Sequence, residues 1–517
     1  MAGGDQLAGA DAIVIGSGFG GVGAAYGLLA QGRSVLMLER GDWVHRGPEN
    51  WEPSQVGMLT PHYSAETAIE AHTDRGKSQQ GGYYLVGGPS VFYGGVSLRF
   101  REKDFHPAEE FTGASRAQWP LEYRDLEPWY GLAERLLGVA GQSGDDPTEP
   151  PRSSPYPAQP GKLAQISGKL ARAAESLGLH PFRLPLAINH GEDPGRACIA
   201  CTTCDGYACA ISAKNDLATV MIPGLIDRGM QLRPNSVVTR LIRKGDKIVA
   251  VAGVDRVSGQ PFQLSADLIV LAAGSLASPQ LVLGSGLEQV NPAGEMVGRF
   301  LQRHKNGIVF GLFPAPPDPV GEFHKQLGIH DYYFGNPQGS GPPGKLGGLQ
   351  QLVTPPIGLV RANVPWFIGA IAGPLVGRLT GLLVITEDQP QFENRIVIDS
   401  QRSTRFGLPQ TVVQHRYSHR DRAADKELRR LARRILRRAG ALAFYNHEID
   451  TFSHAVGTLR MGEDPTLAPL DPQCRFRGVT NLWVTDGSFM PTSAAVNPSL
   501  TIFANALRVA HSIGGDS

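Results

Sequence analysis

Cysteine is scarce in this chain of 517 residues: there are five, and four of them fall between positions 198 and 209. So few, so crowded, exclude an extracellular disulfide framework for a protein of this length. Charge is also thin. Charged side chains make up 19%, and 49 Lys and Arg stand against 48 Asp and Glu, leaving +1 overall. No net field exists to draw in nucleic acid or an anionic membrane, so neither is expected as a partner. The sequence has no internal repeat of roughly 20–50 residues and no collagen-like period. The first apolar run, at Ala12, is preceded by neither a cationic stretch nor a cleavage site. The expectation is therefore a chain without a secretory signal, resident in the cytoplasm. At 41% hydrophobic it can bury a large core, which excludes a disordered protein.

Glycine and proline are plentiful, 64 and 39 residues or about a fifth of the chain, and imply many turns and close backbone approaches. The N-terminal stretch reads strand (12–16), Gly-rich turn (17–21), helix (22–32), strand (34–39). Within it Gly16-Ser17-Gly18-Phe19-Gly20-Gly21 fits GxGxxG. The first glycine permits the tight turn, the second lets a pyrophosphate approach the backbone, and the third lets helix and strand pack closely. Glu39 closes the next strand, where an acid accepts from ribose hydroxyls and disfavours a 2′-phosphate. FAD or NAD is the implied ligand.

Further on, 119–141 and 161–179 read as helices, and 141–161 as a polar, Pro-rich linker. Strands are expected around 231–254 and 261–271. Residues 421–441 form an amphipathic helix with Leu428, Leu431 and Ile435 on one face. In 365–385, glycines at 369, 373, 377 and 381 would give a helix one smooth face, suited to burial or a subunit interface. Pro374 and Arg378 argue against a membrane span there, so membrane association is not expected. Cys198, Cys201, Cys204 and Cys209 come within one residue of a ferredoxin spacing. Three readings stand together: an iron–sulfur centre, a zinc knuckle or reduced thiols.

Six blocks, in order, carry a resemblance. They are 11–41, LVGGPSVFYGGVSLR (85–99), WPLEYRDLEPWY (119–130), LIVLAAGSLASPQLVLGSG (268–286), SHAVGTLRMG (453–462) and NLWVTDGSFMPTSAAVNPSLTIFANAL (481–507). Together they resemble the glucose–methanol–choline (GMC) flavoprotein oxidoreductases over nearly the whole length. The resemblance implies an α/β fold, with a Rossmann-type FAD-binding domain and an interposed α+β substrate domain on an antiparallel sheet. Residues 1–150, 198–305 and 450–517 would form the first, and 151–197 with 306–449 the second. It further implies that Gly16, Gly18, Gly21 and Glu39 hold the ADP half of FAD. Gly88, Ser90, Gly94 and Gly95 would lie along the pyrophosphate and flavin, Val237 would meet adenine through its backbone, and Asp486 would sit near the ribityl chain. Some relatives attach FAD to a histidine at the position of Phe92; a phenylalanine cannot form that bond, so the FAD here should be non-covalent. A common asparagine beside it is Tyr93 here.

Alcohol oxidation needs a base for the hydroxyl proton as hydride leaves carbon for the flavin. By the resemblance His454 is that base and Asn497 its hydrogen-bonding companion. Cluster-bearing dehydrogenases in the family support a [3Fe–4S] centre on Cys198, Cys204 and Cys209. Such a centre would favour a separate electron acceptor, including a redox partner protein, over O2. The substrate implied is a small alcohol of sugar-like, polyhydroxylated type. The apolar 356–385 region keeps a sterol or other hydrophobic alcohol open. A redox-inactive lyase and an electron-transfer subunit dependent on a partner are the other classes.

Overall fold

The computed structural model describes residues 9–47, 69–201, 204–322, 325–339, 341–352 and 375–515. Five strands form a parallel sheet in the order Leu482–Val484, Leu268–Leu271, Ala12–Ile15, Val35–Leu38, Gln231–Arg233. The central three are apolar and buried at every position, as strands covered on both faces must be. Helix Phe19–Ala30 packs against helix Ser499–Gly515 at a distance only glycine permits. A Cβ at Gly23 or Gly27 would come within 2.8 Å of Ala506 or 2.5 Å of Ala510.

A second, six-stranded sheet is antiparallel wherever its pairs are read. Its order is Ala443–Glu448, Lys305–Leu312, Leu379–Thr386, Gly347–Leu352, Leu327–Ile329, Pro181–Arg183. Strand alternation divides its faces. Val309, Leu349, Leu382 and Val384 pack against helices Gln165–Glu175 and His419–Arg438 through Leu170, Leu428, Leu431 and Ile435. Ile308, Phe310, Leu383 and Ile385 turn the other way, and the pairing of Gln350 with Leu383 puts Gln350 on that second face. A three-stranded sheet (Ser236–Lys244, Lys247–Asp255, Pro261–Leu264) and a four-stranded one (Arg395–Ser403, Pro409–Gln414, Ile69–Thr73, Gly76–Gln80) complete the strands described.

The mixed α/β architecture expected from the sequence is present, with several local differences. The helix expected over 119–141 spans Tyr123–Leu137 and stops at Gly138, whose φ of 56° is left-handed. The one over 161–179 is Gln165–Glu175. The basic helix is His419–Arg438, its start set by a capping box in which Ser418 and Asp421 bond each other's backbone amides. The Pro-rich 141–161 is irregular but anchored: Asp146 pairs with Arg101 and His330, and Arg152 with Glu134. In 365–385 the first ten residues lie outside those described. The remainder is not a glycine-faced helix, because Leu379–Thr386 is a central strand paired on both sides and Gly381 makes room for Phe310. Two short strands, Ile69–Thr73 and Gly76–Gln80, form beyond those expected from the sequence. Among the described residues, no helix is long and apolar enough to cross a membrane.

Buried charge ties the 85–99 segment to this frame. Arg99 donates through Nε and Nη2 to both carboxylate oxygens of Glu134 at 2.8 Å, and Arg152 meets the same carboxylate. Tyr130, on the same helix, hydrogen-bonds Thr501 Oγ1 at 2.8 Å. Removing Glu134 takes the shared carboxylate from two buried arginines and leaves them only Glu127 and Glu149 as acidic partners. Glu134→Ala is expected to destabilise the protein by about 3–5 kcal/mol, seen as a lower midpoint in chemical denaturation.

Candidate active site

Loops at the carboxyl ends of the parallel strands converge, the usual position for ligands in such sheets. Gly16 follows Ile15, Glu39 follows Leu38, Ala272 follows Leu271, and Asp486 lies just beyond Val484. Gly16 has φ 103°, and a Cβ there would sit 2.4 Å from the Ala272 carbonyl oxygen. A Cβ on Gly21 would fall 1.9 Å from the Gly16 oxygen. Gly18 is different: its missing Cβ faces open space, with no atom within 4 Å. It caps helix Phe19–Ala30 with no side-chain hydrogen bond, and no acid lies in the first turn. The helix therefore presents unfilled amides and its positive dipole end to an anion. Gly88, at φ 56°, brings a second glycine backbone against this loop, since its Cβ would meet Gly18 Cα at 3.0 Å.

Several expected ligand-binding side chains are engaged within the protein. Glu39 Oε2 accepts from Ser17 N (3.0 Å) and Ser17 Oγ (2.6 Å), and Oε1 accepts from Gly41 N (2.9 Å). Burial pushes its carboxyl up, and the Ser17 hydrogen bond opposes that shift. Asp486 accepts from Gly274 N at 2.9 Å and from Ser278 on one oxygen, and from Ser488 on the other. It braces the loop that touches Gly20. Ser90 Oγ donates to the Gly87 carbonyl (2.6 Å) and accepts from Leu217 N (3.1 Å). Val237 is paired with Val254 in the three-stranded sheet, next to Ser236, whose amide donates to the Glu39 carbonyl at 2.7 Å. Gly94 lies where a Cβ would meet Asp205 and the Lys325 ammonium at 2.8 Å, and Gly95, at φ 77°, turns the chain against Ala187 and Ile188. Phe92 is buried and packs on Tyr83. The Tyr93 hydroxyl donates to the Asn215 carbonyl at 2.9 Å.

The cysteine-rich loop departs from the metal-centre reading of Cys198, Cys201, Cys204 and Cys209. Among the described residues, no group of three or more His, Cys, Asp or Glu side chains is arranged to hold a metal ion. The loop is instead gathered on a buried ammonium. Lys214 Nζ donates to the carbonyls of Tyr93 (2.8 Å), Cys204 (3.1 Å) and Tyr207 (2.6 Å). Burial raises the Cys198 thiol and pushes Cys204 up to about 12.

His454 and Asn497 are brought together from segments more than forty residues apart. Asn497 Nδ2 lies 3.3 Å from His454 Nε2, and Asn497 Oδ1 accepts from Gln350 Nε2 at 2.7 Å. The second face of the antiparallel sheet thus reaches the pair through Gln350. Burial above all, with the unfavourable neighbourhood of His304 and Lys325 for a second proton, lowers the His454 value well below the usual range, so the ring is neutral near pH 7. Its other nitrogen, Nδ1, lies 3.0 Å from His304 Nδ1. Sequence reasoning missed His304, Gln350, Lys325 and Lys214 as parts of this region. All but Lys214, in the Ala213-Lys214 dipeptide beside the cysteines, carry no local signal.

Comparison with known proteins gives the family of the chain. Two models of the GMC oxidoreductase family match, the N-terminal one over residues 83–306 and the C-terminal one over 390–506. The chain is 30% identical to 6'''-hydroxyparomomycin C oxidase of Streptomyces lividus over 97% of its own length and 91% of that protein's. It is also 30% identical to paromamine 6'-oxidase of Streptomyces fradiae, over 98% and 91%. Pyridoxine 4-oxidase from Mesorbium loti shares the fold, with a TM-score of 0.69 at 19% identity, covering 97% of this chain and 99% of that one. Matched by both halves of the family and alike in length to full relatives, the chain belongs to the GMC oxidoreductases.

Proposed function

We propose that the protein oxidises a CH–OH group of a sugar-like, polyhydroxylated alcohol to a carbonyl, with His454 as the base. The observation that carries this is the contact of Asn497 Nδ2 with His454 Nε2 at 3.3 Å, which sets a hydrogen-bond donor beside the base. An alcohol oxygen that displaces this contact donates its proton to the freed Nε2 lone pair and accepts a hydrogen bond from the Asn497 N–H. Gln350 holds the Asn497 amide in the orientation this needs. As the hydroxyl proton moves to Nε2, the carbinol C–H pair must leave as hydride so that carbon and oxygen form their second bond and the product is a carbonyl.

FAD supplies the two-electron acceptor that takes hydride from the carbinol carbon. The chain's fit to it rests on the side-chain-free cradle of Gly16, Gly18, Gly21 and Gly88 and on the uncapped helix start at Phe19. In this reading Gly94, Gly95, Ser90, Val237, Glu39 and Asp486 shape the remainder of the FAD site. The FAD-binding part comprises 1–150, 198–305 and 450–517, and the substrate part 151–197 and 306–449. In support, the parallel sheet draws only on the first set of segments and the six-stranded sheet almost wholly on the second.

The polyhydroxylated substrate is supported by the aminoglycosides in the names of the two 30% relatives. It is supported too by the buried Gln350 Oε1, an acceptor without a partner beside the catalytic pair. Most of the apolar 356–385 region, which suggested a hydrophobic alcohol, lies outside the described residues. Electrons pass from the reduced protein to O2 or to another acceptor, and peroxide formation under turnover separates the two.

His454→Ala is expected to keep FAD and to slow anaerobic flavin reduction by roughly 10²–10⁴-fold; a near-wild-type rate in stopped flow would remove His454 from the reaction. The base must be unprotonated, and its value is lowered. The rate should therefore stay level from neutral pH down through the ordinary histidine value of 6.5 and fall only in more acid solution. An acid limb centred above 6.5 would contradict this. Acid precipitation of the purified protein should release all flavin into the supernatant, because Phe92 offers no bond, and the same sample should carry no stoichiometric iron. Flavin retained in the pellet would refute non-covalent binding, and about three irons per chain would restore the cluster.

A further inference from the structure

A hydrogen-bonded chain of four side chains ends on one backbone carbonyl, and that carbonyl removes an ambiguity. Along it run Gln350, Asn497, His454 and His304, each in contact with the next. Amide and imidazole groups can each be reversed, so the same contacts could run in either direction. In one direction His454 presents a lone pair at Nε2. In the other it presents an N–H there and cannot act as a base toward an alcohol.

The far end decides. His304 Nε2 lies 3.2 Å from the Ser493 carbonyl oxygen, which can only accept. Nε2 therefore carries hydrogen. His304 is fully buried, and burial lowers its affinity for a second proton, so Nδ1 keeps its lone pair. Nδ1 of His304 must then accept from Nδ1–H of His454, and the lone pair of His454 is at Nε2. Asn497 donates to that lone pair through Nδ2 and accepts from Gln350 through Oδ1, so each link agrees with the next.

The backbone sets His304 in place for this. An antiparallel bridge pairs Gln302 with Val456, with N–O distances of 3.0 and 2.9 Å, and continuing that register puts His304 opposite His454. His304 has φ 59°, a left-handed conformation that costs a non-glycine residue energy and persists where surroundings over-determine it. Here they do. The Arg303 and His304 amides donate to the two oxygens of Asp388 at 3.0 and 2.9 Å, and Tyr417 donates to the His304 carbonyl at 2.8 Å.

We propose that His304 is a positioning residue that fixes the tautomer of His454, holding its proton on Nδ1 so that the Nε2 lone pair, met by Asn497 in the free protein, is the one offered to the alcohol. It also keeps the His454 ring oriented once Nε2 has gained the alcohol proton, since Nδ1–H still finds the same acceptor. This rests on the reading of His454 as the base.

The test combines stopped-flow flavin reduction with nitrogen-15 NMR of histidine-labelled holoenzyme, His454 being assigned by its loss in His454→Ala. In the wild type, His454 should show a protonated Nδ1 and an unprotonated Nε2. His304→Gln, whose amide reaches the Ser493 carbonyl but offers His454 no acceptor, should slow reduction about 10²-fold, with little change in the substrate concentration needed for half-saturation. His304→Asn, whose side-chain oxygen takes the place of Nδ1, should recover most of that loss. A protonated Nε2 on wild-type His454 overturns the proposal even if neither variant folds. Equal losses in His304→Gln and His304→Asn, or none in His304→Gln, also overturn it. Wild-type rates in His454→Ala would instead defeat the base reading, and the NMR tautomer would still report on His304 separately.

Discussion

The Asp388 carboxylate is the constraint on which the catalytic end of this protein depends. It lies just past the end of the central strand Leu379–Thr386 and is fully buried. Burial alone would push its carboxyl up, but His415 and the backbone amides more than offset that, and it stays below the usual range. Two of its partners are consecutive amides, those of Arg303 and His304, and a third is His415 Nε2 at 3.1 Å. The Arg303 guanidinium donates to the other nitrogen of His415 at 3.3 Å, so that ring too is held neutral with its N–H toward the carboxylate. Hydrogen bonds to an ionised acceptor are the stronger kind. Together they hold the left-handed turn at His304 that aims its ring at His454.

The nucleotide-binding end works by the opposite means, through the absence of side chains. Gly16 and Gly21 are required because other backbone already occupies the space a Cβ would take, whereas Gly18 leaves space open toward the helix start. The acids nearby serve as braces. Glu39 and Asp486 spend their oxygens on Ser17, Gly41, Gly274, Ser278 and Ser488, and so keep the loops at the strand ends in register. A buried carboxylate whose acceptors are satisfied within the protein is a scaffold part first, whatever ligand edge it also meets.

The cysteine-rich loop is a similar case. Spacing alone is compatible with a metal, but spacing says nothing about where the sulfurs point. Lys214, buried and donating to three carbonyls, gathers the loop and joins it to Tyr93 beside the glycine pair. The elevated Cys204 thiol follows from the same burial.

Local sequence determined the features that depend on neighbours in the chain. The strand–turn–helix–strand at the N-terminus, the three apolar buried strands, the amphipathic helix around Leu428 and the glycines of the phosphate loop could all be read because their causes lie within a few residues. Ordered blocks also pointed to the family and to His454 and Asn497. Tertiary structure decided what comes from pairing across long separations. The segment around Gly381 became a strand because two other strands flank it, although its glycine spacing suited a helix. Glu39 and Asp486 turned inward because Ser17 for the one, and Gly274 and Ser278 for the other, donate to them from other loops. His304 faces His454 through a bridge between residues some 150 positions apart, and the direction of the hydrogen-bonded chain rests on a carbonyl at Ser493. Backbone carbonyls are common to every residue and leave no trace in a sequence, so only the folded chain could single this one out.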